Sequence, residues 1–249
     1  NSTLEAMRLA RDQAEKANRV KSTFLRMVSH ELRTPLAAIQ LQLDRLARSA
    51  AELPTKQRDL LLRCHASTRR LTRLVDSVLE YTRIEGGRIE ISRRSFNPSE
   101  VAAEILAIAQ PHADQKGIGL NLHATGELPQ VETDPRLVRL VLLNLVENAV
   151  KFTERGGVDV TIDVVANHLK LCVQDSGPGI GDEQQPLVFE PFEQLGPTEN
   201  KHLPGIGLGL ALVREMVGAL GGRVDLQSKL GEGACFTVSV PVRCVEAVA

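Results

Sequence analysis

The apolar positions follow two different rhythms along the 249 residues. Up to about residue 85, Leu25, Val28, Leu32, Ile39, Leu43 and Leu46 recur mostly at three- and four-residue steps or their sums. That spacing draws a stripe along an α-helix. Ala50 to Pro54 breaks the pattern. A second stripe follows in Cys64, Leu71, Leu74, Val78 and Tyr81, with Arg69, Arg70 and Arg73 mostly on other faces. Gly86 and Gly87 close it, as glycines at helix C-termini do. Two helices bury little surface alone, so the pattern predicts a hairpin completed by dimerisation into a four-helix bundle. The first residues are helical in pattern and begin without Met, and they read as part of a longer helix that is a signalling or coiled-coil segment.

From Arg88 onward the rhythm alternates. Arg88–Ser92 reads as a strand. Asn97-Pro98 is a cap followed by a first-turn proline, opening a helix from Val101 to Gln115. Gly119–Ala124 is a strand. Asp134-Pro135 repeats the cap-plus-proline signal before an apolar helix running to about Thr153. Gly157–Val165 and Leu169–Gln174 read as paired strands. A Gly/Pro-rich stretch precedes a helix from about Leu208 to Leu220, and Arg223–Ser228 and Ala234–Val240 close the chain as strands joined by a turn at Leu230 to Gly233. Helices and strands mixed in one domain predict an α/β sandwich. The expected organisation is residues 1–20 as an N-terminal signalling helix, 21–87 as the helical hairpin and 88–249 as the sandwich.

Composition narrows the function. Thirty basic and 31 acidic residues give a formal charge of −1, without the basic excess of a nucleic-acid binder. Trp is absent and aromatics are 3%, which disfavours base-stacking platforms. Cys64, Cys172, Cys235 and Cys244 form no CxxC pair and are far apart in sequence, so neither a zinc nor a disulfide framework is expected and a reducing cytoplasm fits. No apolar run approaches the ~20 residues that span a bilayer, so no membrane contact is expected of this fragment. Whether a larger parent protein is membrane-anchored stays open.

Three pieces carry chemistry in the second half. On the helix from Pro135, Asn144, Glu147, Asn148 and Lys151 fall at i, i+3, i+4 and i+7 among apolar neighbours. This is either a solvent-facing stripe or a face for metal and phosphate, since amide oxygens suit Mg²⁺ and a lysine suits phosphate oxygens. Asp175-Ser176-Gly177-Pro178-Gly179-Ile180-Gly181 follows a strand, and a strand-end carboxylate can accept from an exocyclic amine such as adenine's. Gly205-Ile206-Gly207-Leu208-Gly209-Leu210 leads into a helix N-terminus, a cradle of backbone amides for an anion. Each alone is weak, and the strand that a dinucleotide fingerprint needs and the lysine-serine pair of a P-loop are both missing. In the first half, Ser29-His30-Glu31-Leu32-Arg33-Thr34-Pro35-Leu36 places His30 about 200° from Val28 and from Leu32 at ~100° per residue, off the apolar stripe. Thr34 is one turn on. Pro35 removes a backbone donor and is expected to kink the helix. Glu31 stands beside His30, where it can take the imidazole proton.

Taken together and in order, these segments resemble the boxes of histidine kinases. SHELRTPL is similar to the H box, NLVENAVKF to the N box, DSGPGIG to the G1 box, FEPFEQL to the F box and GIGLGL to the G2 box. The resemblance covers about residues 18 to 242. It implies a phospho-acceptor hairpin that dimerises, followed by a Bergerat-type α/β sandwich of the group that includes gyrase B, Hsp90 and MutL. By that resemblance His30 is phosphorylated by Mg-ATP, Glu31 is the general base and Thr34 positions water for dephosphorylating a partner. It implies Asn148 on Mg²⁺, Asn144, Lys151 and Phe152 at the nucleotide, and Asp175 on adenine. Gly177, Gly179, Ile180, Gly205, Gly207, Leu208, Gly209 and Leu210 complete the binding loops. Residues 181–204 correspond to a lid with Phe189 and Phe192 packing its base, and this lid offers Lys201 and His202 but no arginine. The implied partners are a second copy through the hairpin and the receiver domain of a response regulator, whose Asp takes the phosphoryl group. Three other readings compete: a kinase-like scaffold without catalysis, a phosphatase, and an ATP-driven machine of the Hsp90 kind. Every box is present, which opposes the first. Asn144 stands where the related hydrolases have a Glu, which opposes the last.

Overall fold

The computed structural model describes residues 32, 34–48, 53–85, 90–193 and 207–245. The chain divides into two compact units, Asn1–Arg88 and Ile89–Ala249. In the first unit, residues 34–48 form helix α1 and Thr55–Glu85 form helix α2. His65 Nε2 lies 2.5 Å from Asp44 Oδ1, and Thr72 Oγ1 donates to Gln40 Oε1 at 3.4 Å. Leu36 and Val75 are the buried apolar residues among the described side chains of this unit. The row facing α2 is therefore built from Leu36, Gln40 and Asp44. Of the predicted stripe, Leu32, Ile39 and Leu46 stand exposed, Ile39 at 47% and Leu46 at 54%. They repeat every seven residues, the spacing of a seam that waits for another helix. On α2, Cys64 and Leu71 are also exposed. Leu25, Val28 and the side chains of Leu74, Val78 and Tyr81 lie outside the described residues.

The second unit begins with its helix caps. Asn97 Oδ1 accepts from Ser99 N–H at 2.9 Å and starts α3, Pro98–Lys116. Asp134 Oδ1 accepts from Arg136 N–H at 3.0 Å and from Leu137 N–H at 3.4 Å and starts α4, Pro135–Phe152. Both sequence signals thus mark true helix starts, because proline in the first turn sacrifices a donor that has no intrahelical partner. The strands are β1 Arg94–Phe96, β2 Gly119–Ala124, β3 Gln130–Thr133, β4 Gly157–Val165, β5 His168–Asp175, β6 Arg223–Lys229, β7 Gly233–Pro241 and β8 Arg243–Val245, with α5 at Gly209–Ala219. Five of them form one sheet in the order β2-β4-β5-β7-β6. Only the β2–β4 pair in it is parallel. α4 lies over β4 and β5, with α3 and α5 on either side of it.

Strand alternation builds this core. Val158, Val160 and Ile162 of β4 point inward, opposite Asp175, Val173 and Leu171 of β5, which in turn face Ala234, Phe236 and Val238 of β7. Every residue in that layer is apolar except Asp175. The opposite face of the same strands is mostly polar, and on it Cys172 and Cys235 bring their sulfurs to 3.0 Å apart across 63 residues of sequence. The wide spacing of the cysteines in sequence therefore conceals one close pair of thiols. Burial and the neighbouring Cys235 push the Cys172 thiol up to about 11.

A second, three-stranded sheet, β1-β3-β8, has no counterpart in the sequence reading. The expected strand at Arg88–Ser92 is displaced. Residues 90–93 carry no strand, and Ser92 N–H donates to Asp134 Oδ2 at 2.8 Å. The ladder forms instead at Arg94–Phe96, where β3 supplies partners from Thr133 to Val131. The alternation in Arg88-Ile89-Glu90-Ile91 imitates a strand, but pairing is decided by a partner that is itself only four residues long. Among the described residues, no helix is long and apolar enough to cross a membrane.

Candidate nucleotide site

Asn144, Asn148 and Lys151 project from α4 as one half-buried row, bordered by the fully buried Leu145, Val146, Ala149 and Val150. Glu147 lies on the exposed side of that row. Asn144 Nδ2 donates back to Leu140 O at 2.8 Å, which turns the amide oxygen outward. That oxygen meets the start of α5. A Cβ placed on Gly209 would lie 3.1 Å from Asn144 Oδ1 and 3.6 Å from Asn148 Nδ2. The first turn of one helix and the polar row of another thus share one wall, with glycine permitting the approach. The N-terminal amides of α5 present positive partial charge to the same space. Lys151 Nζ lies 4.4 Å from the centre of the Phe152 ring, a cation–π contact that holds the ammonium at the end of the row.

Asp175 is the last inward residue of β5 and is 8% exposed. Its Oδ1 accepts from Gly177 N–H at 2.8 Å and from Ala234 N–H at 3.3 Å. Its Oδ2 makes no hydrogen bond among the described residues. Burial raises the carboxyl above the usual carboxylate range, against those two amide bonds. One oxygen is therefore fixed by the fold and the other is available to a further donor.

The loop after Asp175 is held from below. Gly179 has φ +69, and a Cβ there would lie 2.0 Å from Lys229 O. Ile180 N–H donates to Ser228 Oγ at 2.8 Å, and Gly231 N–H donates to Pro178 O at 2.7 Å. Gln185 Nε2 binds the carbonyls of Ile180 and Ser228 at 3.1 and 3.0 Å. The β6–β7 turn is therefore the floor of the loop. Ser228, Gln185 and Ala234 escaped the sequence reading, since their role is tertiary and none carries a recognisable pattern. The paired glycines Gly231 and Gly233 were the available signal.

Beyond the loop, Phe189 packs edge-on against Phe236, with ring centres 6.3 Å apart. Phe192, the other aromatic expected at the lid base, is the more exposed of the two. It is 58% exposed with φ +68, and Val188 is the buried apolar residue of this stretch. The Phe192 backbone donates to Gly207 O at 3.0 Å, so the two ends of the intervening segment are fastened together. Leu208 is buried, and Leu210 is half-buried in the first turn of α5. Thr34 is exposed on α1. His30, Glu31, Lys201, His202 and Gly205 lie outside the described residues.

A row of amide and ammonium groups, a helix start and a half-satisfied buried carboxylate suit a polyanionic ligand with an amine-bearing ring. The oxygen donors are few, and among the described residues no cluster of three His, Cys, Asp or Glu side chains forms a metal cage. The amide oxygens of Asn144 and Asn148 are of the kind that suits a hard cation such as Mg²⁺, which takes most of its ligands from water and substrate phosphates.

Comparison with known proteins agrees. Residues 133–243 match the family described as histidine kinase-, DNA gyrase B-, and HSP90-like ATPase, and residues 20–87 match the His Kinase A (phospho-acceptor) domain. A sensor-like histidine kinase of Rhizobium meliloti is 38% identical over 232 residues, covering 92% of this chain and 44% of that protein. The sensor histidine kinase RcsC of Escherichia coli is 33% identical over 239 residues, covering 96% of this chain and 25% of that protein. The crystal structure of full-length ShkA in complex with AMPPNP superposes with a TM-score of 0.76 at 33% identity, over 90% of this chain and 46% of that one. The chain belongs to the histidine kinases, with a phospho-acceptor domain followed by an ATP-binding domain. It spans less than half the length of these relatives.

Proposed function

We propose that this chain phosphorylates its own His30 from Mg-ATP and passes the phosphoryl group to an Asp of a response-regulator receiver domain. The observation that carries the reading is the meeting of Gly209 with Asn144 and Asn148, together with a buried Asp175 at the end of β5 that keeps one oxygen open. In this reading Asp175 Oδ2 accepts from the adenine amine. Asn144, Lys151, Phe152 and the amides from Gly207 to Leu210 surround the phosphates, with Gly205 completing the loop. Asn148 would hold Mg²⁺, which when bound neutralises charge on the phosphate oxygens. An imidazole nitrogen of His30 attacks the γ-phosphorus, the bond to the β,γ-bridging oxygen breaks, ADP leaves and Glu31 takes the imidazole proton. Catalysis is then chiefly positioning and charge stabilisation. An amide at Asn144 cannot act as a base toward water, which favours transfer over hydrolysis.

Residues 21–87 act as the dimerising acceptor domain, residues 88–249 as the ATP domain, and residues 1–20 as the helix that brings in the signal. The seam of Leu32, Ile39 and Leu46 is the surface that a second copy would cover. Thr34, one turn beyond His30, gives the same chain a route to dephosphorylating the regulator. This chemistry belongs on the cytoplasmic side.

The test incubates the purified chain with γ-labelled ATP and Mg²⁺ beside His30→Ala and Asn148→Ala. Acid-labile, alkali-stable label on the wild type and on neither variant is expected. Nucleotide binding with no label on the protein would replace this reading with a scaffold or an ATPase, which phosphate release then separates.

A further inference from the structure

Asn148 and Lys151 sit in the last turn and a half of α4, where a helix runs out of donors for its carbonyls. Two residues fill the gap. Thr153 donates to Ala149 O twice, from its N–H at 3.0 Å and from its hydroxyl at 2.7 Å. Lys116, the final residue of α3, donates from Nζ to Val150 O at 2.8 Å, to Lys151 O at 2.6 Å and to Thr153 O at 3.0 Å. An ammonium has three donors, and all three are used. Its charge also stands at the negative end of the α4 dipole.

The position of Lys116 is itself fixed. Gly117 turns into the left-handed region at φ 68, and its N–H bonds back to the carbonyls of Ala113 and Asp114. The carbonyl of Phe152 falls within the same row. A Cβ on Gly177 would lie 3.1 Å from it, so the loop after Asp175 rests on this turn of backbone. One turn of α4 therefore carries the amide and ammonium of the phosphate side and supports the loop of the adenine side.

We propose that Lys116 is a positioning residue of the nucleotide site, holding the end of α4 so that Asn148, Lys151 and the Asp175 loop keep their relative places. The proposal rests on the nucleotide reading of those residues. Lys116 does not touch the ligand. Without its ammonium three carbonyls lose their donor, the last turn frays, and the two sides of the site separate.

The test measures affinity for a non-hydrolysable ATP analogue with Mg²⁺ by calorimetry, and Tm in parallel, on the full chain. Lys116→Met keeps the stem and removes the donors. Its Kd is expected to rise about tenfold, as for loss of charge-assisted bonds, with the KM for ATP rising in step and kcat changing less. Lys116→Arg restores the cation and is expected to stay within about threefold of the wild type. Lys116→Gln keeps some donors and serves if the Met variant unfolds. Asn97→Ala removes the cap at the far end of α3 and lowers Tm comparably, with nucleotide Kd expected unchanged. A wild-type Kd in Lys116→Met, or in Lys116→Gln where the Met variant unfolds, overturns the proposal, as does an equal loss of affinity in Asn97→Ala. If the wild type binds no nucleotide, the reading of the site itself has failed and the proposal falls with it.

Discussion

The two units of the chain bury their apolar residues in different ways. The α/β unit closes its own core: the inward rows of β4, β5 and β7 are almost completely covered by α3, α4 and α5. The hairpin unit, with Leu36 and Val75 inside, leaves Leu32, Ile39, Leu46 and Leu60 on its surface. A sheet with helices on one face can exclude water by itself, whereas two helices present only a line of contact to each other. The difference teaches where each unit's stability comes from. One is intramolecular, and the other depends on what is laid against its open seam.

The sharpest way to break that contrast is to charge the seam. Ile39→Glu with Leu46→Glu is expected to raise the dimer dissociation constant at least about a thousandfold, since charges in a buried seam cost several kcal/mol. Analytical ultracentrifugation would show it. The Tm of the α/β unit should not move, and a comparable drop there would mean that the two units are not independent.

Asp175→Asn probes the other side of the comparison, at the single polar residue in the inward layer of β4, β5 and β7. Nucleotide affinity is expected to fall about 100-fold, because a carboxylate acceptor is replaced by an amide. Stability should move the other way. The folded-state carboxyl titrates above its unfolded value, so its contribution is present at low pH and is lost as pH rises through the folded value. At neutral pH the Asn variant should therefore unfold at an equal or higher temperature. A lower Tm would show that Asp175 serves the core rather than the ligand.

Asp134 is the opposite kind of buried acid. Burial works against its ionisation, but bonds from Arg136 and from the Ser92 amide, with the Arg136 charge, outweigh that and hold its carboxyl below the usual range. Its stabilisation is present above the unfolded pKa and is lost as pH falls through the folded one. Asp134→Ala is expected to cost about 2 kcal/mol in urea unfolding at pH 7, the upper range for an N-cap. The difference from wild type should shrink as pH falls below about 4. A last expectation concerns Cys172. With its thiol pushed up to about 11 from 9.0, its alkylation by iodoacetamide at pH 8 should run about 100-fold slower than that of an unperturbed thiol. Fast alkylation would mean that the polar face of the sheet is more open than its packing implies.

Much of this was legible in the residues. The caps at Asn97 and Asp134, the strand pair from Gly157 to Asp175 and the polar row on α4 follow from local physics: a side-chain oxygen next to proline, alternation at period two, and amides at helical spacing. Such signals need only neighbours in sequence. The row of α1 that faces α2 was not legible, because periodicity marks an apolar face without saying what covers it. The β1-β3-β8 sheet was hidden for a related reason: three short strands gain their stability from one another, and no single one of them is convincing alone.

The candidate site divides along the same line. Sequence determined which chemical groups exist and in what order: a histidine in a helical run, amides and a lysine on one helix face, a carboxylate at a strand end, glycines before a helix. Tertiary structure alone decided that Gly209 faces Asn144, that Asp175 spends one oxygen on Gly177 and Ala234 and keeps the other, and that Lys116 closes the end of α4. Each of these joins residues more than 30 positions apart or depends on which face of a strand is buried. Contacts of that kind are set by the packing of the whole sheet, and no local pattern encodes them.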